Sequence, residues 1–138
     1  MADVKHTEDV ALPAAQVWAV IGDFGGIRKW ATIVESETVE QTPNGPVRTL
    51  TLPEGRTVRE LQAATSEHSY TYTMLDRPEM KNYRSTVSVV PVDAANSRIE
   101  LQVHADPTGA ETEADTEARY AKSLRGNARA MKRALGLS

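Results

Sequence analysis

Between Ile33 and Gln102 the chain is cut into short segments by dense turn chemistry, and this punctuation constrains the fold more than any other feature. Pro43-Asn44-Gly45-Pro46, Pro53-Glu54-Gly55-Arg56, Asp76-Arg77-Pro78-Glu79 and Asp93-Ala94-Ala95-Asn96 combine residues that preset or permit turn backbone. The stretches between them read as strands at residues 33–41, 47–52, 57–65, 68–75, 81–92 and 98–105. Tyr70, Tyr72 and Met74 share one face of their strand, and Val87, Val89 and Pro91 share one parity in the next. A further strand at 5–12 precedes Pro13, which suits the first position of a helix, where its missing N–H is harmless. Val17, Trp18, Val20 and Ile21 make that helix short and apolar; Gly22 and Gly25-Gly26 break it, and residues 27–30 add one more turn.

Residues 111–135 form the clearest helix. Glu111, Glu113, Asp115 and Glu117 come early, and Lys122, Arg125, Arg129, Lys132 and Arg133 come late, which matches the helix macrodipole. Tyr120, Leu124, Ala128, Met131 and Leu135 mark a buried stripe. The stripe is thin, as suits a helix facing partly onto a cavity or one making a shallow core contact. Strands joined by hairpins make an antiparallel sheet, and segregated helices make the class α+β. The expected architecture is a curved sheet of about seven strands wrapped around the long helix, with two short helices after the first strand.

Composition narrows the function. A length of 138 residues suits one domain over residues 1–138. The net charge of −3 comes with no basic block for a nucleic-acid groove. With no cysteine there is no disulfide, thiolate metal site or cysteine nucleophile. The stretch Met1-Ala2-Asp3-Val4-Lys5-His6 lacks an apolar signal region, and no apolar run is long enough for membrane insertion, so a cytoplasmic protein is expected. No His-x-x-x-His or clustered carboxylate pattern suggests a metal. Gly22, Gly25 and Gly26 follow a helix rather than a strand, unlike a phosphate-binding loop, and no cofactor is implied. His6 and His68 read as solvent-exposed. His104 reads as a surface or structural residue ahead of a cavity base.

The segment from Ala14 to Trp30 resembles the N-terminal signature of the SRPBCC, or START-like, superfamily, and its polyketide cyclase/dehydrase branch in particular. Residues 47–55, Arg59-Glu60-Leu61 and Asn82-Tyr83-Arg84-Ser85 resemble that branch too. The resemblance covers nearly the whole chain and implies a helix-grip fold with a ligand cavity. Leu52-Pro53-Glu54-Gly55 resembles the gate loop of abscisic-acid-receptor-like members, and residues 76–80 fall at the latch; turn chemistry alone also accounts for both. Many relatives carry His-Pro after the tryptophan that corresponds to Trp30, whereas Ala31-Thr32 follow here, which weighs against activities needing that histidine.

Position by position, the resemblance places Trp30, Glu35, Arg48, Leu52, Pro53, Arg59, Tyr72, Met74, Tyr83, Ser85, Glu100, Tyr120 and Leu124 around the cavity. Taking Leu61 and Ala63 as inward also turns Arg59 inward. In the last strand apolarity puts Ile99, Leu101 and Val103 inside, whereas the resemblance turns Glu100 inward, and the two readings conflict. Inward arginines and carboxylates would need to pair with one another, or with a ligand carboxylate or enolate; the alternative is solvated cross-strand pairs. The expected partner is a small hydrophobic or aromatic, polyketide-like ligand. The alternatives are a cyclase/aromatase drawing on Tyr72, Tyr83, Glu100, Arg59 and His104, and a protein-interaction module, its partner unspecified, with a vestigial cavity.

Overall fold

The computed structural model describes residues 1–137. The turn clusters separate seven strands: β1 (Ala2–Val10), β2 (Ser36–Thr42), β3 (Gly45–Thr51), β4 (Thr57–Ser66), β5 (Ser69–Leu75), β6 (Arg84–Pro91) and β7 (Ser97–Ala105). They form one antiparallel sheet in the order β1-β7-β6-β5-β4-β3-β2, so the first two strands of the chain are its two edges. The β2–β3 turn needs its glycine. Gly45 sits at φ +127°, and a Cβ there would meet the Gln62 carbonyl oxygen at 2.8 Å.

Helix α1 (Ala14–Ile21) and the 3₁₀ turn Phe24–Lys29 bridge β1 and β2. Pro13 is the N-cap of α1 in extended conformation, so the helix starts one residue later than the sequence suggested. The long helix α2 (Glu113–Ala134) starts at a capping box. The Thr112 hydroxyl accepts from the Asp115 N–H at 3.0 Å, and the Asp115 carboxylate accepts from the Thr112 N–H at 3.2 Å. Thr116, Tyr120, Leu124, Ala128 and Met131 are its buried face.

Burial alternates strictly along β7, where Ser97, Ile99, Leu101, Val103 and Ala105 point inward. Val87 and Val89 of β6 join them, and Leu124, Ala128 and Met131 of α2 belong to the same core. Each Val, Leu, Ile or Met among them contributes roughly 1.5–3 kcal/mol by leaving water. Among the described residues, no helix is long and apolar enough to cross a membrane.

Candidate functional site

The other half of the concave face, on β3, β4 and β5, is built differently. The three-residue turn Pro53–Gly55 closes the β3–β4 hairpin, with the Leu52 N–H donating to the Arg56 carbonyl at 2.7 Å. That turn fixes the register and sets Arg48 opposite Glu60. Both are buried, at 1% and 4% exposure. Arg48 Nε donates to Glu60 Oε1 at 2.6 Å, and its Nη1 donates to the Phe24 carbonyl at 3.0 Å and to the Tyr70 hydroxyl at 3.4 Å. The guanidinium also lies 4.3 Å from the Phe24 ring centre and 4.8 Å from that of Tyr72. Burial works against the Arg48 charge, but Glu60, Tyr70 and Tyr72 outweigh it and hold the guanidinium above its ordinary range. Burial pushes the Glu60 carboxyl up, and Arg48 pulls it back only in part.

From this pair a run of aromatic rings crosses the sheet. Trp18 and Phe24 approach Tyr70, which is followed by Tyr72, Tyr83 and, on α2, Tyr120, with ring centres 5.5–6.2 Å apart. Desolvation raises the Tyr70 and Tyr72 phenols above their ordinary value, and desolvation together with Glu60 pushes Tyr83 up to about 12. At neutral pH these hydroxyls keep their protons. They offer hydrogen bonds and are poor bases. Trp30 is also buried, and its Nε1–H has no hydrogen-bond partner. An orphaned donor of this kind costs about 1–3 kcal/mol, which an acceptor placed beside it would recover.

Two loops flank the aromatic run. One carries Leu52, Pro53 and Glu54, and the other spans residues 76–83. Among the described residues, the non-glycine positions with left-handed backbone all fall there: Glu54 at φ 67°, Asp76 at 60° and Asn82 at 55°. Leu52, Met74 and Met80 pack half-buried against the core. Beside the second loop, Arg77, Glu79, Met80, Thr108, Glu111 and Arg119 line a cleft of about 310 Å³. At its wall Arg119 binds Glu111 through two nitrogens, at 2.8 and 3.0 Å, and covers the Tyr120 ring at 4.4 Å. The Arg119 and Thr116 hydrogen bonds lower the Glu111 carboxyl to about 2.

The expected site residues divide between the two faces and the rim. Trp30, Arg48, Tyr83, Ser85, Tyr120 and Leu124 are buried, and Leu52, Pro53, Tyr72 and Met74 are half-buried beside them. Three charged residues lie elsewhere. Arg59 alternates with Glu60 and faces outward, donating to Asp76 at 2.7 Å. Glu100 lies on the outer face of β7, 3.2 Å from Lys5, because the aliphatic residues of that strand take the inside. Glu35 is exposed just before β2. His104 is on the same outer face, 3.5 Å from Asp3. His6 and His68 depart from the expected exposure: both are half-buried, His6 against Glu8 and His68 beside the Trp18 ring. The sequence reading missed Glu60, Tyr70 and Phe24 as neighbours of Arg48. Counting outward from the Pro53–Gly55 turn would have found Glu60, since residues equidistant from a hairpin turn pair.

Comparison with known proteins adds a family. The family model described as polyketide cyclase / dehydrase and lipid transport matches residues 1–136. Among solved structures, the chain is similar to the protein XoxI from Bacillus cereus, with 25% identity, a TM-score of 0.82 and coverage of 97% of this chain and 95% of that one. It is similar in fold to a START superfamily protein from Mycobacterium smegmatis, with 14% identity, a TM-score of 0.78 and coverage of 96% and 95%. The fold of the Zhui aromatase/cyclase from Streptomyces sp. R1128 is similar too, with 20% identity, a TM-score of 0.68 and coverage of 96% and 89%. No curated protein matches the chain.

Proposed function

The chain belongs to the polyketide cyclase/dehydrase and lipid transport family of START-like proteins, and from that premise we propose that it binds a small hydrophobic or aromatic ligand between its sheet and α2. The observation that carries this reading is the aromatic run from Tyr70 to Tyr120, with the unpartnered Trp30 donor in the same core. Flat rings suit a planar ligand, and a buried N–H suits a ligand with a carbonyl acceptor. Trp30, Arg48, Leu52, Pro53, Tyr72, Met74, Tyr83, Ser85, Tyr120 and Leu124 are the proposed surroundings. The strained loops at Glu54 and residues 76–82 would move to admit the ligand past Met80.

Binding is favoured over cyclase chemistry by position. Of the five residues considered for acid–base work, Arg59, Glu100 and His104 lie on the outer face. The other two, Tyr72 and Tyr83, are held protonated. A cyclase would need a base positioned on its substrate.

The test is a proton–nitrogen chemical-shift titration with a flavone, a hydroxyanthraquinone and a saturated fatty acid of similar volume. The aromatic ketones are expected to move the Trp30 indole resonance and the amides of Tyr72, Tyr83 and Tyr120, with the fatty acid weaker. Tyr83→Ala should weaken that binding about tenfold. If none of the three probes moves these resonances, the reading fails.

A further inference from the structure

A second candidate site lies away from the aromatic interior, between β1 and the C-terminal half of α2. Because β1 is a sheet edge, its inward residues His6 and Glu8 border open space beside the helix. There His6, Glu8, Arg125, Arg129, Lys132 and Arg133 line a groove of about 290 Å³. Four cations face one carboxylate, in a chain whose net charge is −3. That carboxylate is already engaged. Glu8 Oε1 lies 3.0 Å from His6 Nε2, and Glu8 Oε2 lies 3.6 Å from Lys132 Nζ. Among the described residues Arg125, Arg129 and Arg133 join no ion pair.

The helix macrodipole explains only part of this cluster. Its pull is confined to about the last turn, which holds Lys132 and Arg133. Arg125 and Arg129 lie further back on the same stripe, at a spacing of four residues, or about 6 Å of helix. Successive guanidinium forks at that spacing match an anion with several oxygens better than a carboxylate, which one fork already fills. The volume is about ten times the share of one water molecule, enough for a phosphate with part of its ester group.

We propose that this groove binds a phosphate-bearing ligand, held by Arg125, Arg129 and Arg133 and bordered by the His6–Glu8–Lys132 cluster. The source is either a soluble phosphate monoester or a phospholipid headgroup. This site is independent of the proposed interior pocket. The soluble arm of the test is isothermal titration at low salt with glycerol 3-phosphate, with acetate as the monovalent control. The lipid arm is flotation with phosphatidylcholine vesicles, with and without phosphatidic acid. The double variant Arg129→Gln/Arg133→Gln changes exposed side chains, so circular dichroism should show the fold unchanged. Glycerol 3-phosphate binding that exceeds acetate binding and falls about tenfold in the double variant supports the site with a soluble ligand. Binding confined to phosphatidic-acid vesicles and lost in the variant supports it with a headgroup. If neither probe binds, or the variant binds as well as the wild type, the proposal is overturned.

Discussion

The two halves of the concave face are made of opposite materials. On β6 and β7 the inward rows are Val87, Val89, Ile99, Leu101 and Val103, in one core with Leu124, Ala128 and Met131 of α2. On β3, β4 and β5 the inward rows mix Leu50, Val58 and Met74 with the polar groups Arg48, Glu60, Gln62, Tyr70 and Tyr72. The aliphatic half gains free energy simply by leaving water. The Arg48–Glu60 pair at the centre of the other half gains little by comparison, because the desolvation of two ions roughly cancels their attraction. Folding is therefore secured on the β6–β7 side. The β3–β5 side holds groups that a well-packed apolar cluster of equal volume would replace without loss. That difference is why the candidate site is placed there.

The sharpest way to break this contrast is to remove one ion of the buried pair. Arg48→Met leaves Glu60 buried without its partner and should destabilise the fold by about 3–5 kcal/mol, read from the urea midpoint. The double variant Arg48→Met/Glu60→Leu should recover most of that loss or exceed the wild type. A loss below about 1 kcal/mol for the single variant would mean that the pair is solvated in solution. The matching change on the aliphatic side is Leu101→Ala, expected to cost about 2–5 kcal/mol as a cavity replaces a fully buried side chain. Here no second substitution at a charged position should rescue the loss. Rescue on one side and not on the other would establish the comparison.

The elements were legible because their signals are local. Turn clusters located the hairpins, charge order oriented α2, and the spacing of Tyr120, Leu124, Ala128 and Met131 gave its buried face. The interior was harder to read, since alternation divides a strand into two sets without saying which faces in. In β4 the set containing Leu61 and Ala63 looked the more apolar, yet Val58, Glu60 and Gln62 form the inward row because Arg48 across the hairpin neutralises Glu60. In β7 the aliphatic set did take the inside, against the family resemblance that pointed Glu100 there. The groove of His6, Glu8 and the late α2 cations depends on an edge strand from the start of the chain meeting a helix from its end. Such a meeting is set by topology and has no signature along the sequence.

The smallest effect, carried by a single proton, tests the same contrast by pH. Burial raises the Glu60 carboxyl above its ordinary value of 4.5, so the folded chain holds that proton more tightly than the unfolded chain does. Stability must then fall with rising pH between the ordinary and the raised value, because there the native state binds the extra proton. The Glu60 contribution is fully present below the unfolded value and is lost as pH rises through the folded one. Glu60→Gln removes this titration. The stability of the wild type relative to Glu60→Gln should therefore increase as the pH is lowered from neutral toward 4.5. Over the same range Val103→Ala should stay a constant distance from the wild type, since Val103 carries no proton and its cross-strand partners Val4 and Ser85 do not titrate there. An opposite slope for Glu60→Gln would mean that Arg48 outweighs burial and that the pair stabilises the fold, leaving the two halves of the face energetically alike.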